Sequence, residues 1–142
     1  MDNQLDNVNL IDLISAKYFK LRKINEKMWN TSNNILITNS EWYIISAIYG
    51  KKPTISEITQ QVNKSRQATH KSIKTLNSKC LIAISNVENN SRDKCLKLTP
   101  LGEQCYLENR LLKDAIERDI VAKLGSEKVI LLKDLLKTEW NQ

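Results

Sequence analysis

The sequence is short of the residues that build turns: its 142 positions hold three Gly and two Pro. A β-sandwich or barrel needs residues tolerant of positive φ at many corners, which leaves a mostly helical chain as the expectation. Long hydrophobic runs are also missing. The longest unbroken apolar stretches are four residues, at 42–45, 81–84 and 129–132, against the roughly 20 that a membrane helix requires. Residues 1–6 carry neither the basic nor the apolar region of a secretory signal, so the expected location is cytoplasmic, with no membrane partner. Histidine occurs once, as His70, and Cys80, Cys95 and Cys105 share no C-x-x-C spacing. Three scattered cysteines fit reduced thiols better than a disulfide framework, and one histidine cannot build a metal cage. No orienting group or oxyanion motif accompanies a Cys–His pair, so neither catalysis, metal nor cofactor is expected.

What the sequence does have is positive charge, and it is not evenly spread. The net charge is +6. Residues 51–100 alone hold ten Lys/Arg against three acids, a local +7, while the other 92 residues come to −1. A basic middle third raises a positive potential suited to a polyanion, with nucleic acid the first candidate and a solvated basic face the plain alternative.

Along residues 5–29 the apolar side chains Ile11, Ile14, Tyr18, Leu21, Ile24 and Met28 recur at three- and four-residue steps, which predicts a helix about 36 Å long. That exceeds the needs of a domain this size, so part of its stripe is expected to pack outside the domain. Residues 30–34 end it with side chains that compete for backbone hydrogen bonds. Thr38 with Glu41 forms a capping box that opens a helix to about Tyr49, closed by Gly50. Thr54 with Glu57 repeats the pattern before a short helix carrying Ile55, Ile58 and Val62. Asn63 and Lys64 make a turn, and Ser65 caps a third helix whose buried stripe is Thr69, Ile73 and Leu76. Its opposite face is Arg66, Gln67, His70, Lys71 and Lys74, donors uninterrupted by a carboxylate. Alternation then predicts two strands, with Ile82 and Ile84 on one and Leu96 and Leu98 on the other, around a polar tip at 88–92. Thr99 caps a helix with Pro100 at its first position, running to about Leu124. Gly125 and Ser126 break it before a last helix carrying Val129, Leu132, Leu135, Leu136 and Trp140.

Two short helices joined by a tight turn and followed by a hairpin with a basic tip are the parts of a winged helix-turn-helix. The expected class is mainly α with a small β-hairpin wing. One domain spans 1–142, with a DNA-binding lobe at 36–99 and helical segments at 5–30 and 100–142. In the major groove Gln can pair with adenine, Lys and Arg can donate to guanine, and Ser can hold phosphate.

Over nearly its whole length the sequence resembles the multiple-antibiotic-resistance regulator (MarR) family of bacterial transcription factors. The resemblance rests on the long first helix, Ile37-Thr38 with Trp42, the helix-turn-helix at 54–76, the wing Asn90-Ser91-Arg92, and Leu98-Thr99-Pro100-Leu101-Gly102. It implies a homodimer, with 5–30 and 100–142 as the helical dimerisation region, that binds a pseudo-palindromic operator on double-stranded DNA, acting as a repressor. DNA contacts carried over fall on Ser65, Arg66, Gln67, His70, Lys71 and Lys74, with Asn90 and Arg92 in the wing. Two positions depart from the pattern: Asn90 stands where many relatives have an Asp that orients the wing arginine, with Asp93 a possible substitute. Cys80 stands where the family usually has Gly after the recognition helix, so that turn must change conformation or carry strain.

Relatives bind small aromatic ligands between the dimer helices and the DNA-binding lobe, and Tyr18, Trp29, Trp42, Tyr43 and Tyr49 are the candidates for such a pocket. The plainer reading is that they are core and interface aromatics. Release by an oxidant would need an exposed thiol. Cys95, on the strand face opposite Leu96 and Leu98, is the candidate, while Cys105 reads as core packing. Outside gene regulation, a protein–protein adaptor with the same fold is the competing function.

Overall fold

A computed structural model describes residues 8–62, 65–87 and 90–141, the side chains of 87 and 90–92 excepted. The order is α1 (Leu10–Ser32), α2 (Asn39–Ile48), α3 (Ile55–Gln61), α4 (Arg66–Ser78), β1 (Ile82–Val87), β2 (Asn90–Leu98), α5 (Pro100–Leu124) and α6 (Ser126–Lys137). Among the described residues no helix is long and apolar enough to cross a membrane.

The helix boundaries follow local side-chain chemistry. Asn9 caps α1 by accepting from Asp12 N–H at 2.9 Å, so the helix begins at Leu10; residues 5–7, where the apolar period suggested a start, lie outside the described residues. At its other end α1 runs to Ser32, past the expected stop at residue 30. The hydroxyls of Thr31 and Ser32 donate back to the carbonyls of Lys27 and Met28 at 2.7 and 2.8 Å, so both side chains are accommodated inside the last helical turn instead of breaking it. Asn33 ends the helix with its side-chain amide and backbone N–H both on the Trp29 carbonyl. The Thr38–Glu41 capping box is present in both directions, and Gly50 turns the chain at φ +72 after Tyr49.

Residues 98–102 have a mechanical reason. Thr99 Oγ1 accepts from Gly102 N–H at 3.0 Å, which caps α5, and donates to the Cys80 carbonyl at 2.7 Å. A Cβ on Gly102 would lie 2.1 Å from the Leu81 carbonyl oxygen. Only glycine lets α5 start this close to the strand.

The hairpin is antiparallel, with Ile82 opposite Leu98 and Ile84 opposite Leu96 and a register shift between Asn86 and Val87. The apolar face of the pair closes a core of Ile37, Ile44, Ile45, Ile48, Ile58, Ile73, Leu76 and Leu81. Trp29 from α1 meets Trp42 from α2 edge to face at 5.0 Å in that core, and Cys105 brings in the first turns of α5. Burial pushes the Cys105 thiol up, with nearby Glu108 adding to the effect. The rest of α5 and α6 leaves the core. Among the residues of α6 only Val129 is buried, while Ile130, Leu131, Leu132, Leu135 and Leu136 are 45–60% exposed. Trp140, expected on this helix, lies beyond it, and its indole N–H donates to the Leu135 carbonyl at 2.9 Å.

Candidate nucleic-acid interface

Helix α3 begins where Thr54 Oγ1 accepts from Glu57 N–H at 3.1 Å and buries Ile58 against the core. The connection to α4 passes through Asn63 and Lys64, the expected turn, which lie outside the described residues. Ser65 then caps α4, accepting from Ala68 N–H at 3.1 Å. Thr69, Ile73 and Leu76 are its buried residues. That stripe fixes the rotation of the helix, so Ser65, Arg66, Gln67, His70, Lys71 and Lys74 are all exposed. All six expected contact residues of this helix therefore stand on its outer side, with Ser65, Arg66 and Gln67 at the end where its backbone N–H groups point outward.

The electrostatics of this face are those of a surface awaiting an anion. No acidic residue occurs in α4. The two ion pairs among the described residues, Lys79–Glu41 and Lys133–Glu117, lie elsewhere. The Ser65 hydroxyl is engaged as a cap through its oxygen and keeps its proton to donate. Positive charge at the first turn of a helix adds to the favourable dipole for phosphate.

The wing is tied to the helix-turn-helix. Leu96 N–H donates to the Pro53 carbonyl at 2.8 Å, and Thr54 forms a single antiparallel bridge to Cys95 beside the two-stranded sheet. Asn90 and Arg92 belong to β2, with their side chains outside the description. Asp93, considered as a partner for the wing arginine, accepts from the Lys94 backbone N–H at 2.9 Å.

Of the cysteines, Cys105 is in the core as expected, but the exposed thiol is not Cys95. Cys80 is the exposed thiol, Cys95 is half-buried and Cys105 buried. Cys95 loses exposure because β2 is paired on both sides at that position. Cys80 sits past the end of α4 at φ +62, so this chain uses the glycine conformation without a glycine.

A cleft of about 320 Å³ runs between α1 and α5, lined by Tyr18, Leu21, Arg22, Asn25, Lys113, Ile116, Glu117 and Ile120. Of the five aromatics expected to line a pocket, only Tyr18 does. Tyr43 reaches it through a hydrogen bond between the two hydroxyls. Trp29 and Trp42 are core residues at 1% exposure, and Tyr49 stacks on Tyr106 at 3.9 Å. Arg22, which the sequence did not single out, lies 5.5 and 5.1 Å from the ring centroids of Tyr18 and Tyr43. Burial lowers the Lys113 ammonium below its ordinary range, and Arg22 lowers it further. Burial and the Tyr43 hydrogen bond raise the Tyr18 hydroxyl, against Arg22. The cleft thus combines two cations, the Tyr18 phenol ring and apolar walls with one carboxylate, Glu117, which is paired with Lys133. Its floor includes Asn25, which is paired with Asn109 through a 2.9 Å amide hydrogen bond.

No family model and no curated protein matches the chain. Solved structures do. NadR in complex with 4-hydroxyphenylacetate is 29% identical, with 98% of this chain and 100% of that one covered at a TM-score of 0.70. The reduced form of MarR from E. coli is 20% identical over 92% of this chain and 95% of that one, at 0.80. FabT of Streptococcus pneumoniae in complex with DNA is 19% identical over 95% and 92%, at 0.76.

Proposed function

We propose that this chain, which has the winged-helix fold of the MarR-family regulators, is a homodimeric transcription repressor. It reads a pseudo-palindromic operator and leaves it when a small aromatic anion binds. The observation that carries this reading is the outer face of α4, where six donor side chains stand together opposite a buried stripe and without a carboxylate. Gln67 and Lys71 read base edges in the major groove, Arg66 and Lys74 hold phosphates, and Arg92 enters the minor groove beside them. The division of labour matters because base contacts specify while phosphate contacts only position.

Dimerisation is supported by apolar surface with nothing to cover it within one chain. Leu10 and Ile11 on α1, Leu111 on α5 and the leucines of α6 are 45–74% exposed. An apolar surface of this extent marks an interface. A second copy, added by a two-fold axis, would place two α4 helices on half-sites about 10 bp apart.

The ligand reading rests on the cleft between α1 and α5. A phenyl ring fits its apolar walls, and a carboxylate would meet Arg22 and Lys113, two cations that lack a carboxylate partner among the described residues. The similar NadR structure holds 4-hydroxyphenylacetate, an acid of this class. The test is a mobility shift of purified protein on the promoter DNA of its own gene, at two salt concentrations, against a scrambled duplex. Specific binding that weakens with salt and with added phenolic acid supports the reading. Equal affinity for both duplexes contradicts it and favours the adaptor.

A further inference from the structure

Lys79 belongs to the basic middle third and directly follows α4, yet its ammonium points away from the reading face. Its three N–H donors are committed: one to the Leu36 carbonyl at 2.6 Å, the others to the Glu41 carboxylate at 2.8 and 3.0 Å. None is left for a phosphate. Glu41 is 3% exposed and is itself fixed, because Oε1 also accepts from Thr38 N–H at 3.0 Å in the capping box. The loop they hold is tied to α1 as well. Trp29 Nε1 donates to the Ile35 carbonyl at 2.8 Å, and Glu26 accepts from Asn39 N–H at 2.9 Å.

We propose that Lys79 is a positioning residue for operator recognition, setting where the α4 reading face stands without touching DNA. The inference rests on the DNA-binding reading above. Its physical reason is the difference between the two ends of α4's attachment. Thr69, Ile73 and Leu76 bury a largely apolar stripe, and hydrophobic burial has no direction, so it resists departure from the core better than sliding along it. A charge-assisted hydrogen-bond pair in a partly buried place is directional. Lys79 pins the C-terminal end of α4 to the N-terminus of α2, and Glu26 pins that same N-terminus to α1. The donors on α4 therefore meet base edges at a position set by this junction.

The test compares wild type with Lys79→Met, with the double variant Lys79→Met/Glu41→Gln, and with Lys74→Met as a variant of the reading face. Glu41→Gln removes the buried carboxylate that Lys79→Met alone would leave unpaired, while its amide oxygen keeps the capping-box bond. Affinity for operator and for scrambled duplex is measured across a salt series, at a temperature where circular dichroism shows each variant folded. Lys74→Met should weaken both duplexes together and reduce the salt slope by about one. The double variant should keep the wild-type salt slope and scrambled-duplex affinity and lose operator affinity by roughly tenfold, the scale of one displaced base contact. A loss of folded protein alone would lower both affinities equally and leave their ratio unmoved.

Two results overturn the proposal: a salt slope reduced by one with equal loss on both duplexes, which makes Lys79 a phosphate contact, or an unchanged operator-to-scrambled ratio. Wild-type protein that does not discriminate between the duplexes instead removes the DNA-binding reading on which the proposal stands.

Discussion

Cys80 holds a backbone conformation that costs an L-residue about 1 kcal/mol relative to glycine. Its N–H donates to the Asn77 carbonyl and that of Leu81 to the Leu76 carbonyl, at 3.0 and 3.1 Å, which is the hydrogen-bond pattern of a Schellman turn with Cys80 where Gly is usual. Cys80→Gly should therefore raise the unfolding free energy by about 1 kcal/mol, read as a higher urea midpoint at unchanged slope. An unchanged midpoint would mean that the thiol's surroundings repay the strain. Lys113 gives a second prediction at this scale. Its lowered ionisation means that the folded chain releases a proton more readily than the unfolded one. Stability then rises with pH between the folded and unfolded values and, below both, carries the full penalty. Lys113→Met should raise the Tm of the ligand-free protein at neutral pH, by a margin that shrinks in alkaline buffer. With a phenolic acid present the order should reverse, because the variant loses half of the anion's partners; melts in which both proteins gain equally from the acid would contradict the site.

At the scale of elements, the parts legible in the sequence are those with local causes. The caps at Thr38, Ser65 and Thr99 act over three residues, and the strand alternation acts over two, so spacing alone reveals them. What escaped is long-range. Lys79 finds Glu41 from 38 residues away and Asn25 finds Asn109 from 84; nothing in spacing links either pair. Arg22 and Lys113 meet at the cleft only because α1 packs on α5. Among the aromatics, types alone could not separate Trp29 and Trp42, which fill the core, from Tyr18, which lines the cleft. Cys95 looked exposed by strand parity, and the short pairing of Thr54 onto β2 changed that. Helix α6 offers the clearest element-level prediction. Leu131 and Leu135 lie one turn apart and are 58% and 51% exposed, so Leu131→Glu/Leu135→Glu should leave the monomer fold intact while breaking the dimer. Sedimentation should show one chain, and operator affinity should fall by about two orders of magnitude as the two half-sites lose their linkage. A variant that still sediments as a dimer would place the interface elsewhere.

The molecule as a whole divides its charge in the way its proposed work requires. Residues 51–100, which hold α3, α4 and the hairpin, carry +7, while the other 92 residues sum to −1. Helices α5 and α6, at −1 and +1, can meet a second copy with little self-repulsion, while the basic lobe meets DNA. The Arg22 cleft and the Lys79 junction both include α1, so the helix proposed to join the partner also touches the place for a ligand and the mount of the reading helix. The measurement that tests this account most directly is enrichment of a random duplex pool by the wild-type protein. The account predicts a single motif made of two inverted half-sites about 10 bp apart, lost on a pool built without that repeat. Recovery of no motif, or of one unrepeated half, would contradict a symmetric operator-reading dimer.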